Sequence, residues 1–145
     1  MKNVTFYFLD EDNTTDDLSA IERLVCELAV EYWRAGRRLL ITCEDKKQAI
    51  RFDETLWTWP PESFIPHNLA GEGPVGGAPV EISWPQKCNS SQRDVLINLR
   101  SDFAKILTAF TEVIDFVPYE DSLKQLARER YKAYHLAGFN LNTIT

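Results

Sequence analysis

The chain has 145 residues, enough for one domain that buries about 68–70% of its unfolded surface without a disulfide or metal staple. Apolar residues make up 44% and charged residues 26%, which excludes a disordered chain, and no apolar run approaches the ~20 residues of a membrane span. The formal charge is 16 minus 22, or −6, which argues against holding duplex DNA by bulk attraction, because that affinity comes from Lys and Arg neutralising phosphates.

The first ten residues carry one base, Lys2, and too short an apolar stretch for a secretory signal, so the chain reads as cytoplasmic. Val4 to Leu9 is β-branched and aromatic and predicts a buried strand. An acidic loop, Asp10 to Asp17, follows. Leu18, Ile21, Leu24, Val25, Leu28 and Tyr32 then recur at helical spacing, with Ser19 and Glu22 placed as a capping box and Gly36 as the stop. Leu39 to Cys43 predicts a second strand, and Lys46 to Trp57 a helix with Ala49, Phe52 and Leu56 on one face. Strand–helix–strand–helix order implies parallel pairing with right-handed crossovers.

Pro60 and Pro61 stop the second helix. Ser63 to His67 predicts a short strand, Asn68 to Pro79 a Gly/Pro-rich loop, Val80 to Trp84 and Val95 to Leu99 two strands, and Phe103 to Phe110 a short helix. Val113 to Val117 is expected to be the last strand, and a helix from about Glu120 to Ala137 ends at Gly138. No repeat or linker divides the chain, so residues 1–145 read as a single three-layer α/β domain.

The residues offer little for catalysis. Gly71-Glu72-Gly73-Pro74-Val75-Gly76 matches G-x-G-x-x-G, but a dinucleotide fingerprint needs a strand before it and a helix after it. Here a loop precedes, a strand follows, and Pro74 removes an amide. A small α/β nucleotide-binding protein or enzyme using the Gly71–Gly77 loop is the alternative reading; a surface loop is favoured. No G-x-S-x-G occurs, and neither His67 nor His135 has a local partner that would make it a base. The carboxylate pairs Glu44-Asp45 and Glu120-Asp121 precede helices, where they oppose the positive dipole end. Cys26, Cys43 and Cys88 lack metal-ligand spacing and read as reduced, mostly buried thiols, so neither metal nor cofactor is expected.

Two features point to binding. Trp57, Trp59 and Phe64 lie in a segment with three prolines, as either a satellite core or a protein interface. Lys124, Arg128, Tyr131 and His135 step by 4, 3 and 4 and share one face of the last helix. Pattern alone favours an ordinary solvated basic face; the other reading is a grip for an acidic peptide with an apolar end.

Three long runs carry a resemblance: Lys2 to Tyr7; Pro66 to Pro74 continuing into Gly76 to Ile82; and Asp115 to Tyr134. Over essentially its whole length the chain resembles the chi subunit family of bacterial DNA polymerase III holoenzyme. The resemblance implies a nucleotide-binding-like (Rossmann-like) fold with a mostly parallel sheet and no working nucleotide site. It implies a non-catalytic accessory subunit of a DNA-directed DNA polymerase complex, a nucleotidyltransferase assembly. The family pairs with the psi subunit, which tethers it to the clamp loader, and binds the acidic C-terminal tail of single-stranded DNA-binding protein (SSB). DNA is then met only indirectly, and no membrane is involved. By resemblance the tail site falls on Lys124, Arg128 and Tyr131 with Val117 as an apolar wall and His135 at its end, and the psi contact on Trp57, Phe64 and Trp59. His135 stands where a more basic residue is expected, and Trp59 and Pro61 make the psi region bulkier than the family pattern.

Overall fold

The computed structural model describes residues 2–9, 20–58, 65–70, 72, 78–87, 93–103 and 105–144. Among these residues seven strands form one sheet: β1 (Asn3–Phe8), β2 (Leu39–Thr42), β3 (His67–Leu69), β4 (Val80–Ser83), β5 (Val95–Asn98), β6 (Glu112–Val117) and β7 (Asn140–Ile144). Their spatial order is β3-β4-β2-β5-β6-β1-β7, and every strand pairing is parallel. The helices are α1 (Ala20–Arg34), α2 (Lys46–Thr58) and α3 (Asp121–Leu136).

Two apolar clusters, one on each side of the sheet, make the three layers. Val25, Leu28 and Ala29 of α1 and Ala49, Phe52 and Leu56 of α2 pack on Leu39, Ile41, Val95, Ile97, Ile114 and Phe116. On the opposite side Tyr134 of α3, with Leu107, Phe110 and Phe139, packs on Val4, Phe6, Leu40, Leu96 and Val113. The central strands β2, β4 and β5 are buried on both faces, as expected for parallel strands covered by helices.

Local chemistry explains the boundaries. Gly36 (φ 77°) and Gly138 (φ 88°) take the left-handed conformation that ends α1 and α3. At α2, Asp45 Oδ1 accepts the Gln48 N–H at 2.8 Å, so the acid of Glu44-Asp45 that caps is Asp45. Glu44 accepts instead from the Ser101 N–H and hydroxyl. Leu18 and Ser19, and with them the proposed capping box, lie outside the described residues, as does Cys88. Cys26 and Cys43 are buried, as expected.

Four expectations need correction. The strand placed at Ser63–His67 is β3, His67–Leu69, so Asn68 and Leu69 belong to the sheet rather than to a loop. Pro66 has no N–H for a ladder; its carbonyl accepts from Val80, and regular pairing begins one residue later. The helix expected over Phe103–Phe110 is a short 3-10 turn, Lys105–Ala109, with Phe103 and Phe110 anchoring its flanks in the core. Val113–Val117 is not the last strand: β7 follows α3 and pairs with β1. Its polar-rich sequence, Asn-Leu-Asn-Thr-Ile, lacks the apolar run that marks the others. The glycine run, outside the described residues except Glu72, follows a strand, β3, rather than a loop. The next described element is β4, a strand, and not the helix that follows the glycines in a dinucleotide fingerprint.

Candidate functional site

A buried polar network fixes the rotation of α3. Arg130 donates from Nε to Asp115 Oδ2 and from Nη2 to Asp115 Oδ1, both at 3.1 Å, and its remaining donors reach the carbonyls of Ser101 and Phe116. The Tyr134 hydroxyl donates to Asp115 Oδ2 at 2.8 Å, as does Asn98 Nδ2 at 3.1 Å, and the Phe116 N–H reaches Asp115 Oδ1. Burial, and then the Asp115 charge, push the Tyr134 phenol far up, so it stays a donor at any working pH. Arg130, Tyr134 and Ala127 are buried and face the sheet.

With that face turned inward, the stripe at Lys124, Arg128, Tyr131 and His135 lies about 100° round the helix from the sheet-facing side, given ~100° per residue. The structure brings it together as the spacing requires. Arg128, Tyr131 and His135 are exposed and Lys124 is half-buried. Arg130 reaches toward β5 and β6, whereas Tyr131 leans on Phe6 of β1, ring centres 5.5 Å apart. The stripe therefore overlooks β1 and β7. Lys124 Nζ sits 5.4 Å from the ring centre of exposed Tyr119.

Val117, expected as an apolar wall, is half-buried and packs on the Tyr134 cluster. Sequence reasoning missed its partner. Phe8 stands opposite Val117 in the β1–β6 register, on the Phe6 face of β1, and 42% of it is exposed. Phe8 and Val117 are thus neighbours on the side of the sheet that carries Phe6, against which Tyr131 leans.

The second surface is partly described. Trp57 follows buried Leu56 and is 70% exposed; its ring meets His67 edge-on at 4.8 Å. Trp59 and Phe64 lie outside the described residues. His67, which has no local partner in the sequence, has partners in space: Nδ1 lies 2.8 Å from Ile65 O, Nε2 lies 2.9 Å from Asp53 O, and the Asp53 carboxylate is 3.4 Å away. Its side chain is fully buried, and its role is to tie α2 to β3.

A cavity of about 180 Å³ opens at the carboxyl ends of β2, β5 and β6, the position at which open α/β sheets commonly bind ligands. Its polar lining is engaged within the fold: Arg130 on Asp115, Arg100 on Asp102, Glu44 on Ser101. No cluster of metal-binding side chains occurs among the described residues. No described helix is long and apolar enough to cross a membrane.

Comparison with known proteins agrees with the likeness in sequence. The family model described as "DNA polymerase III chi subunit, HolC" matches residues 1–142. The chain belongs to the DNA polymerase III chi subunit family. It is 73% identical over 145 residues to DNA polymerase III subunit chi of Escherichia coli K12, covering 100% of this chain and 99% of that protein. It is 46% identical over 142 residues to the chi subunit of Haemophilus influenzae, covering 98% and 96%. The Pseudomonas aeruginosa chi subunit is 31% identical over 141 residues. The α/β fold with its single parallel sheet is thus the fold of a chi family member.

Proposed function

We propose that this chain is a cytoplasmic accessory subunit of a DNA polymerase III assembly, without an active site of its own, that joins two partners. One is the acidic C-terminal tail of SSB, held on Lys124, Arg128, Tyr131 and His135 with Val117 as apolar wall. The other is the psi subunit, met through Trp57, with Trp59 and Phe64, and through psi the clamp loader. The chain would then link the polymerase assembly to coated template strands, with DNA contacted only through SSB.

One observation supports the tail site: Arg128 and Tyr131 are exposed on one face of α3, and Tyr131 leans on Phe6, on the side of β1 that also carries exposed Phe8, opposite Val117 in register. Arg forks onto carboxylates, the phenol gives a flat wall, and exposed Phe8 suits a terminal aromatic. Exposed Trp57 is an anchor of the kind that dominates protein interfaces.

A peptide with several acids and a terminal phenylalanine tests this by calorimetric titration. Binding is expected near micromolar, roughly −8 kcal/mol, because a flexible chain must be ordered. Arg128→Ala should weaken it by ~2 kcal/mol, the scale of a charge-assisted contact. Unchanged affinity in that variant removes the site assignment.

A further inference from the structure

The sheet has two edges, and they are built differently. At one, β3 is three residues long. At the other, β7 is five residues long, Asn140-Leu141-Asn142-Thr143-Ile144, with no charge and no proline. Natural sheets blunt an edge with short strands, charges or prolines, because an open edge recruits another strand. β7 has none of these devices. Among the described residues it pairs with β1 alone.

The direction of its backbone groups follows from one bond. Asn140 donates its N–H to Lys2 O at 2.8 Å, toward β1. In a parallel ladder the N–H and C=O of alternate residues turn the other way. Leu141 and Thr143 therefore aim theirs outward. Thr143 is opposite Phe6 in register, and Phe6 carries Tyr131. The open edge thus runs beside the basic stripe of α3.

We propose that β7 receives the acidic peptide as an added strand: the peptide's backbone bonds to the outward N–H and C=O groups of Leu141 and Thr143, while its acidic side chains meet the α3 stripe. This inference rests on the acidic-tail reading given above. Charge complementarity selects the occupant. A second copy paired through β7 would bring two sets of Lys124 and Arg128 toward each other, whereas an acidic chain neutralises one set.

The experiment uses the full chain and the synthetic acidic peptide ending in phenylalanine. Two further peptides carry N-methyl groups on alternate amides, in the two possible phases. One phase should lose affinity at least about tenfold and the other should bind normally, since only alternate amides of an added strand face β7. Thr143→Pro removes an outward N–H without touching a bond to β1, so the fold should survive while affinity falls about tenfold; Thr143→Ala should retain binding. If Arg128→Ala abolishes binding but both N-methyl phases and Thr143→Pro bind normally, the peptide lies on α3 without pairing and strand addition is overturned. If the unmodified peptide does not bind, the acidic-tail reading fails and this inference with it. Dimerisation by sedimentation, lost in Thr143→Pro, would assign the edge to a second copy and overturn it as well.

Discussion

Arg130 and Asp115 meet fork to fork, two 3.1 Å bonds between buried side chains, and this pair sets which residues of α3 face outward. Asp115→Asn should keep the volume but leave the guanidinium without its counter-charge. Removing one member of a buried pair costs roughly 3–5 kcal/mol. Urea denaturation measures it, and the double change Asp115→Asn/Arg130→Met should recover part of the loss. A single variant as stable as the parent would show that the pair does not hold α3.

Phe8 is exposed, so its truncation should leave the fold nearly intact while removing the apolar ring beside Val117. Phe8→Ala is expected to weaken the acidic peptide by ~1–2 kcal/mol with the melting temperature almost unchanged. Equal affinity would place the peptide's apolar end elsewhere.

Tyr119 holds the Lys124 ammonium over its ring. Tyr119→Ala should reduce peptide affinity about two- to fivefold, the scale of an exposed cation–π contact. Tyr119→Phe keeps the ring and should bind normally. If both variants behave alike, the ring does not position the lysine.

Trp57→Ala removes an exposed ring and its contact with His67, and is expected to abolish co-elution with psi while leaving peptide binding unchanged. Co-elution at full strength would move that interface away from α2.

Stability should fall in alkali. Burial, reinforced by Glu22 and Glu27, pushes the Cys26 thiol from its ordinary 9.0 up to about 12. The unfolded chain loses that proton first, so the contribution is complete below pH 9 and drains away between about 9 and 12. The slope is up to ~1.4 kcal/mol per pH unit per thiol. Tyr32, raised from 10.0 to about 12 by burial and Glu112, adds its share above pH 10. Between pH 9 and 10, Cys26→Ala should flatten the decline in unfolding free energy and leave the share of Cys43, also raised by burial. An identical slope in both proteins would rule out the thiol as its source.

The strongly periodic elements were legible in the sequence. The stripe of α1, the face of α2 and the closing helix lie where the apolar spacing puts them, and Gly36 and Gly138 stop two of them as read. The sheet edges were not legible. β7 is mostly polar because all of this edge strand except half-buried Leu141 is exposed, and β3 sits in a segment dominated by turn-forming residues. At the candidate site, the spacing of Arg128 and Tyr131 was enough to place them on one face. Phe8 was not found, because nothing local shows that β1 and β6 are neighbours. The helical spacing turns Arg130 toward the sheet but does not reveal its partner, Asp115, which lies 15 residues away on β6.

β1 lies between β6 and β7, and Asn3 is bonded to Asn140 across 137 positions of chain. During synthesis the β3-β4-β2-β5 half of the sheet has all its strands well before the β6-β1-β7 half does. The first strand must wait, its apolar Val4 and Phe6 uncovered, until nearly the whole polypeptide has left the ribosome. Late-forming, non-local pairing of this kind is slow and exposes the chain to chaperones and proteases. A nascent chain stalled before residue 140 should therefore be cut near its N-terminus, while its middle resists digestion.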